Sequence, residues 1–332
     1  MKFLLVGADH GPHETLKPLS QNTAFSFFKS SGRSVDWIDL LRHQNFDGVI
    51  LSTSRSDTGV QTEQECMLAA NHLNLFTAVI EDYPFNFQPN SPLKINLLLV
   101  ENEKVRDEYI NKFGNSIDVI SEGALIRYSS IANQNYNLLA GGPNVLWIGQ
   151  PETNPSIEVL EQILPILQQA KGVVYFKAHP RDEGYAQSHY RHLFTRFKGY
   201  LMDASSLSIA DCMALAPSLL ITRFSSLAIR AGYCGIPSLH VLYDNTERNY
   251  YKKMYSDRYP VICELGASFL ISSQNEQKQE LLKALFAEDV RNTVFQNFIK
   301  YYQIDEHYCN TVINKIFTEA TRFKNEKSSN TY

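Results

Sequence analysis

The chain has 332 residues, of which 44% are hydrophobic and 20% are charged, a composition typical of a globular protein with a large core. Because a single domain of this length is uncommon, we expect two domains. The formal net charge of −4 and the lack of any basic run argue against nucleic-acid binding, so a bound anion requires a local pocket.

The cysteine pattern and the lengths of the apolar runs indicate the cellular compartment of the protein. The five cysteines form no CxxC pair and no zinc spacing, and an odd number suits reduced thiols in a cytosol. The N-terminal MKFLLVGADHG has a short apolar run followed by charge, which predicts a first strand and no signal peptide. No apolar stretch approaches the ~20 residues that span a bilayer. We therefore expect a cytoplasmic protein with at most peripheral membrane contact.

In the first half of the chain, short apolar runs alternate with helical patterns. The helical patterns include TEQECMLAANHLN and EKVRDEYINKFG, the second of which ends at Gly114. Near-continuous hydrophobicity over strand length is typical of parallel strands covered on both faces, and it occurs in residues 2–8, 47–54, 76–83 and 95–101. This alternation predicts a doubly wound α/β domain.

A polar segment without periodicity, SSIANQNYNLLAGGPN (129–144), reads as a linker. After it the alternation restarts, with predicted helices over 155–171 and 185–198 and predicted strands at 145–150, 172–179, 199–203, 218–224 and 238–242. The expected fold class is therefore α/β, with two doubly wound, Rossmann-like domains.

The domain limits follow from this pattern. We expect an N-terminal domain over residues 1–138, a C-terminal domain with terminal helices over 139–324, and a flexible tail over 325–332. An apolar stripe on the last helix predicts that it packs back toward the N-terminal half, and its members are Val312, Ile313, Ile316, Phe317 and Ala320.

The segment GVVYFKAHPRDEG (172–184) carries the clearest chemical signal. A buried strand ends in Lys177 and is followed by His179, Pro180 and Arg181. In open α/β sheets, ligands bind beyond the carboxyl ends of the strands, where this histidine lies. A plain turn is the structural alternative for the His-Pro pair.

A second segment of the same kind is ITRFSSLAIRAGYCGIP (221–237). It places Ser225 and Ser226 at a predicted helix start, where unpaired N–H groups and two hydroxyls suit an anion. Arg223, Lys177 and Arg181 are the cations expected to neutralise a diphosphate. A simple N-cap is the alternative for the serine pair. The two segments together, within one α/β domain, favour a phosphate-bearing ligand.

These two segments resemble the C-terminal half of GT-B-type proteins. The similarity is greatest to bacterial surface-polysaccharide enzymes, namely CDP-glycerol glycerophosphotransferase-like and capsule or sialyltransferase-like glycosyltransferases, and more distant to UDP-N-acetylglucosamine 2-epimerases. The specific motifs cover residues 145–245, and the N-terminal half matches in architecture only. The resemblance implies two domains facing across a cleft, with a nucleotide-sugar or CDP-polyol donor in the C-terminal one. It places a glycan or lipid-linked acceptor in the N-terminal domain.

The resemblance also assigns residues. In those families a Lys-x-His-Pro segment and a Ser-Ser segment hold the donor diphosphate, which carries over to His179, Ser225 and Ser226. Lys177 and Arg181 lie in the first of these segments. The chain departs from the pattern at Arg223, where those families often carry an acidic residue before the serine pair.

The catalytic base is expected in the loop after the first strand, GADHGPHET (7–15). A carboxylate or imidazole can take the proton of an attacking hydroxyl, and we rank Asp9 and His13 above His10 and Glu14, with Asp82 in reserve. The alternative is that Asp9 and His13 have only structural roles, as a helix cap and as part of a turn. Zinc is disfavoured because no third ligand can be assigned.

Several sequence motifs are absent from the chain, and their absence reduces the number of reaction classes to consider. Without an Asp-x-Asp motif, no metal cofactor is expected, and His179 together with the serine pair is predicted to meet the leaving-group charge. No Walker loop, Gly-x-Gly-x-x-Gly or Gly-x-Ser-x-Gly elbow is present, which argues against kinases, dehydrogenases and hydrolases. Three functions remain open: a metal-independent glycosyl- or glycerophosphotransferase of polysaccharide biosynthesis, a nucleotide-sugar epimerase or hydrolase, and a non-catalytic nucleotide-sugar-binding protein.

Overall fold

The computed structural model describes residues 1–28, 35–87, 94–114, 117–121, 123–131, 137–243, 249, 251–252 and 258–329. The chain divides into two compact units. Unit 1 comprises Met1–Asn133 and Ile304–Tyr332, and unit 2 comprises Gln134–Gln303. Each unit contains one six-stranded sheet, and no helix in the described ranges is long and apolar enough to cross a bilayer.

Unit 1 is built around a parallel sheet of order β2-β1-β3-β4-β5-β6. Two 3₁₀ helices, Lys17–Gln21 and Ala124–Ile131, accompany its regular elements. These elements are β1 (Phe3–Val6), α1 (His10–Leu16), β2 (Phe25–Phe27), α2 (Trp37–His43), β3 (Gly48–Leu51), α3 (Asp57–His72), β4 (Phe76–Ile80), β5 (Leu97–Leu99), α4 (Glu103–Phe113) and β6 (Asp118–Ile120).

Unit 2 is built around a second parallel sheet, of order β12-β11-β10-β7-β8-β9. Its elements are β7 (Val145–Ile148), α5 (Thr153–Gln169), β8 (Val174–Lys177), α6 (Glu183–Ala186), α7 (Arg191–Arg196), β9 (Leu201–Asp203), α8 (Ile209–Ala214), β10 (Leu219–Thr222), α9 (Leu227–Tyr233), β11 (Ser238–Val241), α10 (Val261–Glu264), β12 (Phe269–Ile271), α11 (Gln277–Phe286) and α12 (Glu288–Tyr302).

The predicted α/β fold with two parallel, doubly wound sheets is confirmed. The nine predicted strands are all present, whereas β2, β6 and β12 were not predicted. All three lie at sheet edges, and each has only three residues, at least one of them partly exposed. β2 and β6 each contain a polar residue, and all three strands are shorter than the apolar runs of four or more residues that predict a strand.

Two helix predictions need correction. The predicted helix over 185–198 is split into α6 and α7, because Ser188 between them has a positive φ of 64° that no α-helix accommodates. The loop predicted around Gly11 and Pro12 is instead the first turn of α1. Proline fits there because N–H groups in a first turn have no intrahelical partner.

The last helix, α13 (Tyr308–Ser329), belongs to unit 1 although it follows unit 2 in the sequence. Its stripe residues Val312, Ile313 and Ile316 lie in the same hydrophobic core as Phe3 and Leu97. The helix continues to Ser329, so residues 325–329 of the expected tail are helical, and residues 330–332 lie outside the described ranges.

Replacing Ile316 by alanine is expected to lower the free energy of unfolding by about 2–5 kcal/mol, because the fully buried side chain leaves a cavity in unit 1. Urea unfolding measures the change. Lys315→Ala, on the exposed face of the same helix, is the matched control and should change stability by less than about 0.5 kcal/mol. Equal effects of the two replacements would contradict the burial of α13.

Candidate active site

In unit 2 the strand order reverses between β7 and β10, and the loops that follow these strands begin at Gly149 and Arg223. The loop after β8 neighbours the loop after β7. The Gly149 N–H donates to the Lys177 carbonyl at 2.9 Å. A Cβ at Gly149 would lie only 3.1 Å from the backbone nitrogen of His179. Ligands of open α/β sheets bind at such reversals, beyond the carboxyl ends of the strands.

His179 is half-buried at this edge, and its ring nitrogens have different roles. Nδ1 lies 3.0 Å from the Arg181 backbone nitrogen and accepts its N–H, so the neutral ring carries its proton on Nε2. Burial lowers the pKa of His179, and the charge of Arg181 lowers it further. His179 is therefore a neutral imidazole at pH 7 that offers an Nε2–H donor.

Of the three cations predicted to bind phosphate, Lys177 and Arg223 contact other groups of the protein, whereas the Arg181 side chain is exposed. Lys177 Nζ donates to the carbonyls of Ser205 and Leu207, at 2.9 and 2.6 Å. The buried Arg223 guanidinium contacts the Glu152 carboxylate at 3.2 Å. The side chain of Arg181 is exposed. Phosphate binding by these three residues stays a prediction, and Lys177 and Arg223 already have partners inside unit 2.

Ser225 and Ser226 form the turn that enters α9. Ser225 Oγ accepts the Leu227 N–H at 3.2 Å, so this hydroxyl caps the turn. Ser226 has helical backbone angles and makes no capping bond with its side chain. Both serines are half-buried at the carboxyl end of β10, beside the strand-order reversal.

In unit 1 the strand order reverses between β1 and β3, and Asp9 joins the two loops that follow them. Its carboxylate accepts the N–H groups of Arg55 and Ser56, at 2.7 and 2.9 Å, and the hydroxyl of Ser56. Its own N–H donates to Ser54 Oγ at 3.0 Å. Gly59 packs against this network, since a Cβ there would lie 2.7 Å from the Ser54 Cβ.

A buried carboxyl group lies beneath this network. Glu63 of α3 accepts the Ser54 N–H at 2.9 Å, the Ser54 hydroxyl at 2.5 Å and the Ala8 N–H at 3.4 Å. Burial, with a smaller contribution from the charge of Asp9, raises the pKa of Glu63 to about 7. The position of Glu63 in the helix pattern does not by itself reveal its contacts with two distant loops.

The structure separates the two predicted catalytic bases. The His13 ring is exposed and stacks on Phe27 with a centroid distance of 4.5 Å, and its Nδ1 lies 3.6 Å from Glu14. Asp9, by contrast, lines a cavity of about 600 Å³ at the β1–β3 reversal, and His13 does not. No group of three or more His, Cys, Asp or Glu side chains is arranged for a metal ion within the described ranges.

Asp82, the reserve base, lies at the end of β4 in an ion pair. Arg127 donates to both the side chain and the carbonyl of Asp82, and Thr15 Oγ1 donates to its carboxylate at 2.9 Å. A Cβ at Gly11 would lie 2.7 Å from the same carboxylate, so the missing side chain lets α1 approach. These contacts hold Asp82 in place between α1 and the Ala124–Ile131 helix.

Two further carboxyl groups, Glu81 and Glu101, follow the neighbouring strands β4 and β5 and are nearly inaccessible. Glu81 Oε1 accepts the Tyr109 hydroxyl at 2.5 Å and the Phe87 N–H at 3.1 Å, whereas its Oε2 has no hydrogen-bond partner. Burial, and to a smaller extent the charge of Glu101, raises the pKa of Glu81 to about 8. Sequence reasoning missed this pair, although a carboxylate directly after each of two apolar strands was a usable signal.

Comparison of the sequence with protein-family models and with curated proteins gives no match. Solved structures do match. S. aureus MnaA in a co-structure with UDP is 13% identical, with a TM-score of 0.66 over 95% of this chain and 96% of that one. The UDP-GlcNAc 2-epimerase of Methanocaldococcus jannaschii, in complex with UDP-GlcNAc and UDP, is 14% identical, with a TM-score of 0.61 over 96% and 100%.

The MurG structure of Acinetobacter baumannii is 13% identical, with a TM-score of 0.54 over 96% of this chain and 99% of that one. At such low identity these matches establish the fold alone, and they cover nearly the whole chain. The predicted similarity to GT-B-type enzymes is confirmed at this level.

Replacing Glu81 by glutamine is expected to raise stability selectively at high pH. The folded-state pKa of about 8 lies above the ordinary 4.5, so the wild type loses stability as pH rises from about 4.5 through 8. The variant should match the wild type near pH 4, below the unfolded-state pKa, and exceed it at pH 9, by an amount on the order of 1 kcal/mol or more. Urea unfolding across this range tests it, with exposed Glu103→Gln as the control. Parallel pH profiles for wild type and Glu81→Gln would contradict the assignment.

Proposed function

We propose that the protein is a GT-B-type transferase that uses a nucleoside-diphosphate donor, with the donor bound by unit 2. The observation that carries this proposal is the His179 Nε2–H donor, set beside the strand-order reversal of a doubly wound sheet. Ser225 and Ser226 follow β10 at the same sheet edge. The fold similarity to structures that contain UDP supports the donor class.

In the proposed reaction an acceptor hydroxyl attacks the sugar carbon or the glycerol-bearing phosphorus of the donor. The bond from that atom to the leaving phosphate oxygen breaks, and the negative charge on that oxygen increases. His179 donates a hydrogen bond to it from Nε2, and the exposed Arg181 supplies a positive charge. The Nε2–H donor is kept because Nδ1 accepts the Arg181 N–H, which fixes the tautomer of the ring.

The proton of the acceptor hydroxyl requires a base, and we assign this role to Asp9. Its carboxylate lines the unit 1 cavity and is oriented by three donors from Arg55 and Ser56. A base must be fixed within hydrogen-bond reach of the proton that it removes. His13 does not fit this role, because its ring stacks on Phe27 outside the cavity. The acceptor is proposed to be a glycan or lipid-linked glycan, used in the cytoplasm.

A second candidate, epimerisation of a nucleotide sugar, is favoured by Glu81 and Glu101. A carboxylic acid with a pKa of about 8, near a second buried carboxyl group, can hold and exchange a proton at neutral pH. Removing and returning a proton at a sugar carbon needs a titratable group and needs no acceptor, and in this role Glu81 has to become accessible when the sugar binds. Several of the similar structures are UDP-GlcNAc 2-epimerases.

Replacing His179 by alanine is expected to weaken UDP binding by about tenfold, which corresponds to ~1.4 kcal/mol, because the phosphates lose the Nε2–H donor. His179→Gln should keep part of the affinity, since its amide can donate from a similar position. Isothermal titration of the full chain with UDP measures both. His189→Ala removes an exposed histidine between α6 and α7 and should leave the affinity unchanged. Equal affinities for His179→Ala and wild type would refute the donor site.

The two reactions are distinguished by incubating the protein with UDP-GlcNAc in heavy water without an acceptor. For a transferase we expect the nucleotide sugar to remain unchanged by proton NMR until a glycan acceptor is added. Deuterium at the sugar C2, with appearance of the C2 epimer, would instead establish the epimerase. UDP binding without turnover under both conditions would support a binding protein and overturn the transferase.

A further inference from the structure

Four loops follow β10, β7, β8 and β9, which lie side by side in the sheet of unit 2, and hydrogen bonds from side chains link each loop to the next. The buried Arg223 links the first two loops, because its Nη1 lies 3.3 Å from the Glu152 carbonyl oxygen and 3.2 Å from the Glu152 carboxylate. Lys177, at the end of β8, donates to the carbonyls of Ser205 and Leu207 after β9. The remaining link, between the loops after β7 and β8, involves the predicted site most directly.

The loops after β7 and β8 are joined through the carboxyl group of Asp182, which is only 4% exposed. Its Oδ1 accepts the hydroxyl of Thr153, the first residue of α5, at 2.6 Å and the Tyr185 N–H at 3.1 Å. Its Oδ2 accepts the Tyr190 hydroxyl at 2.6 Å. A Cβ at Gly184 would lie 2.2 Å from the Thr153 Cγ2, so the glycine lets the two loops approach each other. Both oxygens of this buried group therefore have the hydrogen-bond donors that burial requires.

Helix capping alone does not account for these contacts. Asp182 is the N-cap of the four-residue α6, and that role uses one of the three donors, the Tyr185 N–H. The other two donors belong to Thr153 and Tyr190, which lie outside α6, at the start of α5 and immediately before α7. Asp182 therefore ties the loop after β8 to two neighbouring helices.

The turn that carries His179 is anchored by the same residue. The Asp182 N–H donates to the His179 carbonyl at 2.9 Å, which closes a four-residue turn with Pro180 in its second position. The proline ring restricts the backbone there, and the Arg181 N–H donates to His179 Nδ1 within the turn. A path of hydrogen bonds thus runs from Thr153 through Asp182 and the turn to the imidazole.

We propose that Thr153 and Asp182 are positioning residues for His179. They hold the turn against the start of α5, which keeps the Arg181 N–H on Nδ1 and leaves the Nε2–H to the ligand. In the other tautomer Nε2 carries a lone pair, which repels a phosphate oxygen instead of donating to it. That the ligand is the diphosphate of a nucleotide donor rests on the proposed function, whereas control of the His179 tautomer does not.

The test replaces Thr153 by valine, which removes the hydroxyl and keeps the shape of the side chain. Long-range nitrogen–proton NMR of the full chain at pH 8, where the imidazole is neutral, identifies the tautomer of His179, and titration calorimetry measures the affinity for UDP. We expect the wild type to show the Nε2–H tautomer. Thr153→Val is expected to show a mixture of both tautomers and a UDP affinity lower by about threefold or more, because one hydrogen bond of the path is lost.

Two matched variants separate the hydroxyl from general effects of substitution. Thr153→Ser keeps the hydroxyl and should show the tautomer and the UDP affinity of the wild type. Thr195→Val removes a hydroxyl that donates to the Arg191 carbonyl at 2.9 Å within α7, and it should change neither property. The signals of His179 are assigned by their absence from the spectrum of His179→Gln.

Asp182→Asn serves as a second variant in case Thr153→Val folds poorly. An amide has one acceptor oxygen, so it cannot satisfy three donors, and the same mixture of tautomers is expected. A mixture of tautomers in the wild type, an unchanged tautomer in both variants, or a Thr153→Ser that behaves like Thr153→Val would each overturn the proposal. If the tautomer changes as expected while UDP fails to bind the wild type, or binds the variants equally well, the donor site of the proposed function fails and the positioning of His179 stands.

Discussion

In each unit the order of the parallel strands reverses once, and the other site features depend on that reversal. Parallel strands end at one edge, and loops on either side of a reversal lead into helices on opposite faces of the sheet. In unit 2 the reversal lies between the loops that begin at Gly149 and Arg223, and in unit 1 the cavity lined by Asp9 lies at the reversal. The short loops then need internal hydrogen bonds to hold their shape.

The loops of the two units are held by hydrogen bonds of different kinds. In unit 2 the Arg181 N–H fixes the ring of His179 so that a donor, Nε2–H, remains for a ligand. In unit 1 the Asp9 carboxylate accepts N–H groups from the loop after β3, so that a side-chain acceptor holds this loop. The proposed phosphate-bearing ligand therefore meets a hydrogen-bond donor in unit 2.

Several of the groups that hold these loops are buried carboxyls, which is costly for stability. Glu63 and Glu81 both have a raised pKa because burial disfavours the charged form, and each accepts hydrogen bonds from a loop or a neighbouring helix. Apolar residues would pack in such places with less penalty. Glu81 directly follows β4, and Glu63 of α3 hydrogen-bonds to the loops after β1 and β3, so both carboxyl groups lie near the carboxyl ends of strands, where ligands bind in this fold.

The sequence alone determined the fold class, the strands of both sheet interiors and the strand ends that carry His179, Ser225 and Ser226. These features depend on local hydrophobic runs and on chain order, which a single sequence contains. Only the tertiary structure decided which polar groups meet. Lys177 and Arg223 read as phosphate ligands from their positions, yet they contact backbone carbonyls and Glu152. Glu63 contacts Ala8 and Ser54, which lie 55 and 9 residues earlier in the chain, because such hydrogen-bond partners are set by packing rather than by neighbouring residues.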